Sequence, residues 1–485
     1  MISAAAMKVS EDAFAEQPAL EWLQEVGWGY RHGSELTAGG AAGERKIDSD
    51  VVLLATLRRA VARLNPDLPA EATTRAVELA LTGTSPSLIL DHQDFHELLL
   101  AGVPVTWIDS ELGERSTRAR LIDWEDPANN EFLAVNQLTI VQGGHNRRPD
   151  ALLYVNGLPL GQLELKNPSL ADDGPRKAVQ QVGHYRQTIP GLYRYVEVIG
   201  VSDLLRARVG TITTPPEHFA EWKTMDPAGM QGRAQLEVLI REVFTPAGLL
   251  DLVRNFVLFE TDGARTRKVM AKYHQVDAVN RAVAAAAEAM ADGSGRAGVV
   301  WHTQGAGKSY SMVFFATKLR RDRRFANPTI VCVTDTNDLD NQLSETFARQ
   351  AHLAPVVRQA DSIKDGPESL HALLDVPADG IVFTTIQKFG RRRDEGPMPV
   401  ISERHNVVVI ADEAHRSQYA TLAQNLLKAL PNATRIGFTG TPIELADRST
   451  RVAFGDYISV YRMAQAQDDG AMVFPRFGRQ GLFRH

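Results

Sequence analysis

The spacing of apolar and polar residues changes repeatedly along the chain, and each change marks a different element. Asp50–Leu64 and Pro69–Leu81 carry apolar residues at helical spacing, which predicts two amphipathic helices. From Val103 to Val141 the pattern shortens to strand-like runs, among them Leu121–Trp124 and Phe132–Val135. Ala151–Val155 is apolar and β-prone, and Leu160–Lys166 alternates apolar with polar residues. Asn156-Gly157 between them tolerates positive φ, so the stretch reads as a β-hairpin. Pro175 opens a helix, and Tyr195–Val201 and Val209–Ile212 read as strands before Thr213-Thr214-Pro215-Pro216 breaks the pattern. A second series begins with a helix over Val276–Met290. It continues with an apolar strand from Gly298, a glycine-rich loop, a helix over Ser311–Leu319, and apolar strands at Thr329–Thr334, Ile381–Thr385, Val407–Ala411 and Ile436–Phe438. Buried strands separated by helical segments predict an α/β protein with a parallel sheet in this half.

At 485 residues the chain has room for two or three domains. The expected division is a loosely ordered segment over 1–46, a first α/β domain over 47–216 and a connector over 217–267. A nucleotide-binding domain over 268–455 and a lead-in with a frayed tail over 456–485 complete it. Hydrophobic content of 44% and charged content of 23% are ordinary for a globular protein. The formal charge of −6 neither indicates nor excludes nucleic-acid binding, because a groove needs only local basicity. One cysteine, Cys332, rules out an internal disulfide and fits a reducing compartment. No apolar run approaches the ~18 residues that span a bilayer, and the start lacks a basic n-region, so a cytoplasmic location without membrane contact is expected.

Chemistry enters at the hairpin. On its second strand Gln162, Glu164 and Lys166 share one face, because side chains alternate with period two, while Leu163 and Leu165 point to the core. Asp150, at the mouth of the first strand, can meet Glu164 across the hairpin. Two adjacent carboxylates repel unless a cation sits between them, and oxygen ligation suits Mg²⁺. A lysine two residues beyond the second acid can orient or deprotonate a metal-held water. Phosphodiester hydrolysis needs such an arrangement, although an edge hairpin with a solvated charged face would carry the same residues. Arg147 and Arg148 are placed to meet a phosphate, and Asp123 is either an additional acid or a structural strand-end residue.

The second half carries Gly298-Val-Val-Trp-His-Thr-Gln-Gly-Ala-Gly-Lys-Ser309. Gly305, Ala306 and Gly307 let backbone N–H groups fold around phosphate oxygens at a helix N-terminus. Lys308 then reaches the β/γ-phosphates, and the Ser309 hydroxyl ligates Mg²⁺. Gln275, just ahead, offers one donor and one acceptor to an adenine edge. Val407–Ala411 runs into Asp412-Glu413-Ala414-His415, a DEAH box, in which Asp412 holds Mg²⁺ and Glu413 polarises the attacking water. Thr439-Gly440-Thr441-Pro442 resembles helicase motif III, and the ends of Thr329–Thr334 and Ile381–Thr385, with Gln387, resemble motifs that touch a nucleic-acid backbone.

The Pro-Asp…Glu-x-Lys pattern resembles the core of restriction-type nucleases, and Gln181 and Tyr185 at i and i+4 match the Gln-x-x-x-Tyr element of one nuclease branch. Fused to a DEAH translocase, the whole resembles the restriction subunit of a type I restriction-modification enzyme from about Leu121 to Val473. That resemblance implies a restriction-nuclease-like α/β domain followed by one RecA-like parallel-sheet P-loop domain. It implies Asp150, Glu164, Lys166, Gln181, Tyr185 and Glu413 as catalytic residues, with Asp150, Glu164, Leu165, Ser309 and Asp412 at metal ions. ATP and Mg²⁺ are the implied cofactors, double-stranded DNA the substrate, and modification and specificity subunits the partners. S-adenosylmethionine enters only through the modification subunit. Thr336 stands where the family has arginine. A stand-alone ATP-dependent helicase-like protein and an inactive remnant are the alternatives. After Val473 the resemblance stops. Arg476, Arg479 and Arg484 lie too near the end to be placed by a folded domain, so the expectation is a truncated product, such as a frameshift near codon 474 would give.

Overall fold

The computed structural model of the chain describes residues 4–40, 43–168, 173–225, 227–263, 265–360, 370, 373–374, 380–389, 398–412, 419–441 and 448–470. Contacts divide it into two units, Met1–Tyr273 and His274–His485. The division falls after the segment 217–267, which therefore packs within the first unit and is not a connector.

The first unit opens with helix α1 (Ala4–Glu25) and strand β1 (Gly29–His32), then helices α2 (Leu54–Leu64), α3 (Ala70–Leu81) and α4 (Leu88–Ala101). Hairpin β2–β3 (Val103–Asp109, Gly113–Ala119), strand β4 (Phe132–Asn136) and hairpin β5–β6 (Ile140–Gln142, His145–Arg147) follow. Next come β7 (Ala151–Val155), β8 (Leu158–Leu165), helix α5 (Gly174–Thr188), β9 (Val198–Ser202) and β10 (Ala207–Gly210). Helices α6 (Gln235–Glu242) and α7 (Pro246–Asn255) and hairpin β11–β12 (Val257–Asp262, Arg265–Met270) complete the unit. Six strands form one sheet in the order β1-β4-β7-β8-β9-β10. β7 and β8 pair antiparallel through Asn156 and Gly157, whose φ angles of 52° and 83° give the expected turn. A Cβ on Gly157 would stand 2.4 Å from the Leu53 carbonyl, so glycine is required there on steric grounds too.

The interior of β8 departs from the alternating pattern. Every residue from Leu158 to Leu165 is buried, including Gln162 and Glu164. The face that carries Gln162, Glu164 and Lys166 is covered up to Leu165, which removes the alternative of a solvated edge hairpin, because β8 lies between β7 and β9 in the sheet and α5 packs on it. α1 also differs from the loose segment expected over 1–46. Its Ala15, Ala19, Leu20 and Leu23 are buried, it packs on α6 and β1, and Glu16 accepts hydrogen bonds from Asn136 and Gln137. Two alanines and a buried glutamate share that face with the two leucines, so the apolar period was weak in the sequence. Leu121–Trp124 forms no strand. There Asp123 accepts from the Glu125 and Asp126 amides and from Asn129, which closes a turn.

The second unit is a seven-stranded, wholly parallel sheet. Helix α8 (Tyr273–Ala291) leads into β13 (Arg296–His302), helix α9 (Lys308–Arg321), β14 (Thr329–Thr334), helix α10 (Asn337–Ala348) and β15 (Val357–Gln359). β16 (Ile381–Thr385), β17 (Val407–Asp412), β18 (Thr434–Thr439) and β19 (Tyr457–Tyr461) follow, in the spatial order β15-β16-β14-β17-β18-β13-β19. β19 pairs in parallel with β13 and is followed by a helix over Met463–Asp468 that buries Ala466. Residues 457–468 thus extend this unit and are not a lead-in beyond it. Thr336, standing where the family has arginine, N-caps α10 by accepting from the Leu339 amide. The calls on Arg476, Arg479 and Arg484 lie outside the described residues.

A buried charge cluster ties α4 to β12 within the first unit. Lys268, wholly buried, contacts the Glu197 carboxylate and lies 2.7 Å from His92 Nε2, while His96 Nδ1 lies 3.1 Å from Glu197 Oε2. His92 Nδ1 faces the Arg194 carbonyl at 2.9 Å, an arrangement that makes Nδ1–H the donor and leaves Nε2 to accept from the ammonium. Burial, and secondarily Lys268, hold His92 neutral with its pKa down at about 3. The unfolded chain takes up that proton near pH 6.5, so the stabilisation is complete above this value and is lost progressively as pH falls towards 3. Lowering pH from 7 to 5 should therefore cost about 2 kcal/mol of stability in a urea titration, at about 1.4 kcal/mol per unit. His92→Gln should flatten that dependence, and an unchanged slope would contradict the assignment.

Candidate active sites

The first site forms where β7 begins and β8 ends. Asp150 Oδ2 accepts from the Leu165 amide at 2.7 Å, a contact that locks the acid across the hairpin mouth. Glu164 is fully buried, and burial first, then the nearby Asp150 charge, pushes its carboxyl well above the ordinary carboxylate range. Lys166 and Gln162 act in the other direction. Lys166 Nζ lies 3.4 Å from Glu164 Oε1 and donates to the Leu165 carbonyl at 3.2 Å, and Gln162 Nε2 donates to Glu164 Oε2 at 3.3 Å.

These contacts test whether the residues suit a divalent cation. Glu164 Oε1 and the Leu165 carbonyl converge on one cationic group, the Lys166 ammonium, beside Asp150. The donor set is all oxygen, as Mg²⁺ prefers. Among the described residues no group of three or more His, Cys, Asp or Glu side chains is arranged to hold a metal ion, so the site offers two carboxylates and a carbonyl. Leu165 fits through its backbone oxygen.

α5 supplies the site's lid of polar groups. Asp173 caps it by accepting from the Arg176 amide, and Pro175 sits in its first turn. Gln181 Nε2 donates to the Tyr185 hydroxyl at 2.5 Å, and that hydroxyl donates to the Arg148 carbonyl at 3.3 Å. Burial and the Glu164 charge raise the Tyr185 pKa, which puts the phenol within electrostatic reach of the carboxylates. Arg147 is held against α5 by Thr188 and His184. Tyr193, wholly buried in the turn after α5, is a residue the sequence reading missed. Its pKa is raised by burial and then by Glu164, and only the fold brings this turn to β8.

The second site lies in the other unit. Gly305 and Gly307 take φ of +82° and +79°, and α9 starts at Lys308, so the loop wraps a helix N-terminus. A Cβ on Gly307 would meet the Gln275 amide at 2.8 Å. Gln275 Nε2 donates to the Gly307 carbonyl at 3.0 Å, and His274 Nε2 lies 3.1 Å from the Ala306 carbonyl. Lys308 Nζ meets Asp412 Oδ1, from the end of β17, at 3.0 Å. The strand end and the loop therefore present their charges to one another. Ser309 is half-buried in the first turn of α9. His302, which replaces glycine at the first loop position, packs with His274 and Tyr461, and burial holds its pKa down at about 3. Glu413, Ala414, His415 and Pro442 lie outside the described residues, and Gln387 donates to the Asp335 carbonyl.

Comparisons with known proteins divide along the same line. Residues 8–218 match the family described as the Type I restriction enzyme R protein N terminus, and residues 274–480 match the SWI2/SNF2 ATPase family. The chain is 40% identical, over 94% of its length and 45% of the other, to the type I restriction enzyme HindI endonuclease subunit of Haemophilus influenzae. It is 34% identical, over 96% of its length and 46% of the other, to the MjaIXP endonuclease subunit of Methanocaldococcus jannaschii. To the type I restriction enzyme SauCOLORF180P endonuclease subunit of Staphylococcus aureus it is 29% identical over 73% of its length and 37% of the other. The chain thus spans about half the length of these curated relatives.

The Asp150–Glu164 repulsion has a measurable consequence. A carboxyl whose pKa is raised by folding stabilises fully at low pH and loses that stability as pH rises through the folded value. Asp150→Asn keeps an acceptor for the Leu165 amide and removes the repulsion. In metal-free buffer at pH 8 it should raise the melting temperature by roughly 2–4 °C, the shift expected for about 1 kcal/mol in a domain of this size. A lower melting temperature would mean that the two acids do not repel in the folded chain.

Proposed function

We propose that this chain, a member of the type I restriction endonuclease subunit family that spans about half its relatives' length, cuts double-stranded DNA at the Asp150–Glu164–Lys166 site. The observation that carries this reading is the convergence of Glu164 Oε1, the Leu165 carbonyl and Lys166 Nζ beside Asp150. Asp150, Glu164 and the Leu165 carbonyl hold Mg²⁺, which when bound polarises the phosphodiester and activates a water. Lys166 orients that water and offsets the charge that develops on the phosphate. Gln181 and Tyr185 brace the Arg148 backbone beside Asp150 and so fix where the scissile phosphate rests.

The SWI2/SNF2 ATPase unit is proposed to drive translocation on DNA. Gly305, Ala306 and Gly307 cradle the ATP phosphates, Lys308 neutralises the β/γ-oxygens, and Ser309 and Asp412 hold the accompanying Mg²⁺. Gln275, whose amide donates to the Gly307 carbonyl, is proposed to read the adenine edge. Glu413 is the proposed water-polarising residue of a DEAH box. Modification and specificity subunits are the proposed partners; they would choose the sequence and bring S-adenosylmethionine, and the complex would work in the cytoplasm.

Plasmid cleavage with Mg²⁺ and ATP, in the complex with partner subunits, tests the assignment. Lys166→Ala or Asp150→Ala should abolish cutting and leave ATP affinity as in the wild type. Linear product formed at the wild-type rate by either variant would overturn it. Lys308→Ala should weaken nucleotide binding at least tenfold in a fluorescent-ATP titration while the first unit's unfolding is unchanged. Undiminished affinity would remove the P-loop reading.

A further inference from the structure

The Tyr193 hydroxyl and Gln162 Oε1 are among the polar atoms of the first unit that are buried without a hydrogen-bond partner within bonding geometry. They belong to neighbouring side chains. Both residues are wholly buried, and the electrostatics of Tyr193 register both the Gln162 amide and the Glu164 carboxylate. The other end of the same amide, Gln162 Nε2, already donates to Glu164 Oε2 at 3.3 Å. A buried unsatisfied hydroxyl or carbonyl costs about 1–3 kcal/mol, so two of them side by side call for an explanation.

We propose that Gln162 and Tyr193 are positioning residues for Glu164. The Tyr193 hydroxyl donates to Gln162 Oε1, which fixes the amide orientation and leaves Nε2 as the donor to Glu164 Oε2. That bond turns the carboxylate so that Oε1 faces Lys166 and the Leu165 carbonyl. Neither residue touches substrate, and both act through Glu164. Tyr193 is supplied by the turn over Pro190–Arg194, which follows α5, so the same segment that carries Gln181 and Tyr185 to Asp150 also carries the brace for Glu164. The inference rests on the proposed metal site.

Mn²⁺ binding to the full chain, measured by calorimetry without DNA or ATP, tests it. Tyr193→Phe and Gln162→Met preserve volume and remove one link each. Each should weaken Mn²⁺ binding about 10- to 100-fold, the usual cost of removing a group that holds a ligand in place. If the Tyr193 hydroxyl is merely an unsatisfied buried group, Tyr193→Phe should raise the metal-free melting temperature and leave Mn²⁺ affinity at the wild-type value. That result overturns the relay. Should the wild type bind Mn²⁺ and Asp150→Asn lose it while both relay variants bind normally, only this inference falls. Should the wild type bind no Mn²⁺, the metal site itself falls with it.

Discussion

A carboxylate placed in a protein core beside a second carboxylate is unstable unless something nearby offsets its charge. Glu164 is in that position. It lies on a strand buried on both faces, next to Asp150, with Lys166 and Gln162 as its counterweights. The surrounding architecture serves this arrangement. The tight Asn156-Gly157 turn sets the register that brings Asp150 to the Leu165 amide, and β9 closes the other side of β8. The polar residues of α5 and the turn after it then surround the two acids. The hydrogen-bonded frame is rigid where the charges are most costly.

The nucleotide site solves a similar problem in the same way. Lys308 and Asp412 come from a loop and a strand far apart in sequence and meet at 3.0 Å, as Lys166 and Glu164 meet at 3.4 Å in the other unit. In both places a lysine ammonium neutralises a carboxylate that the proposed function assigns to a metal. The lysine can change partner when an anionic substrate arrives, because its flexible stem reaches either group. The glycines at positive φ keep the loop carbonyls turned toward His274 and Gln275, so the frame of this site too is set before any ligand binds.

Much of this was legible from residue patterns. The hairpin, the helix at Pro175, the P-loop strand and helix, and the strand ending in Asp412 were all readable, because period and turn residues act locally. So was the α/β class with a RecA-like second domain. What the patterns hid was tertiary. Alternation put Gln162 and Glu164 on one face with Lys166 but could not show how deeply that face is buried, because the cover from α5 is not encoded next to them. α1 read as loose because alanines and a hydrogen-bonded glutamate share its buried face with the leucines. Residues 217–267 read as a connector, although α6 packs on α1 and Lys268, just beyond them in β12, closes the cluster with Glu197, His92 and His96. Tyr193 carried no signal at all, since its role depends on a turn folding back over β8. The structure leaves Glu413 outside the described residues, so its part in ATP hydrolysis rests on the motif.

The central claim is that Asp150, Glu164 and the Leu165 carbonyl share one divalent cation. Anomalous diffraction from crystals of the chain grown with Mn²⁺ tests it most directly. The account predicts one strong peak within about 2.0–2.4 Å of an oxygen from each of the three residues, with Lys166 Nζ displaced from Glu164 Oε1. A peak elsewhere in the first unit, or none at Mn²⁺ concentrations that support DNA cleavage, would contradict it.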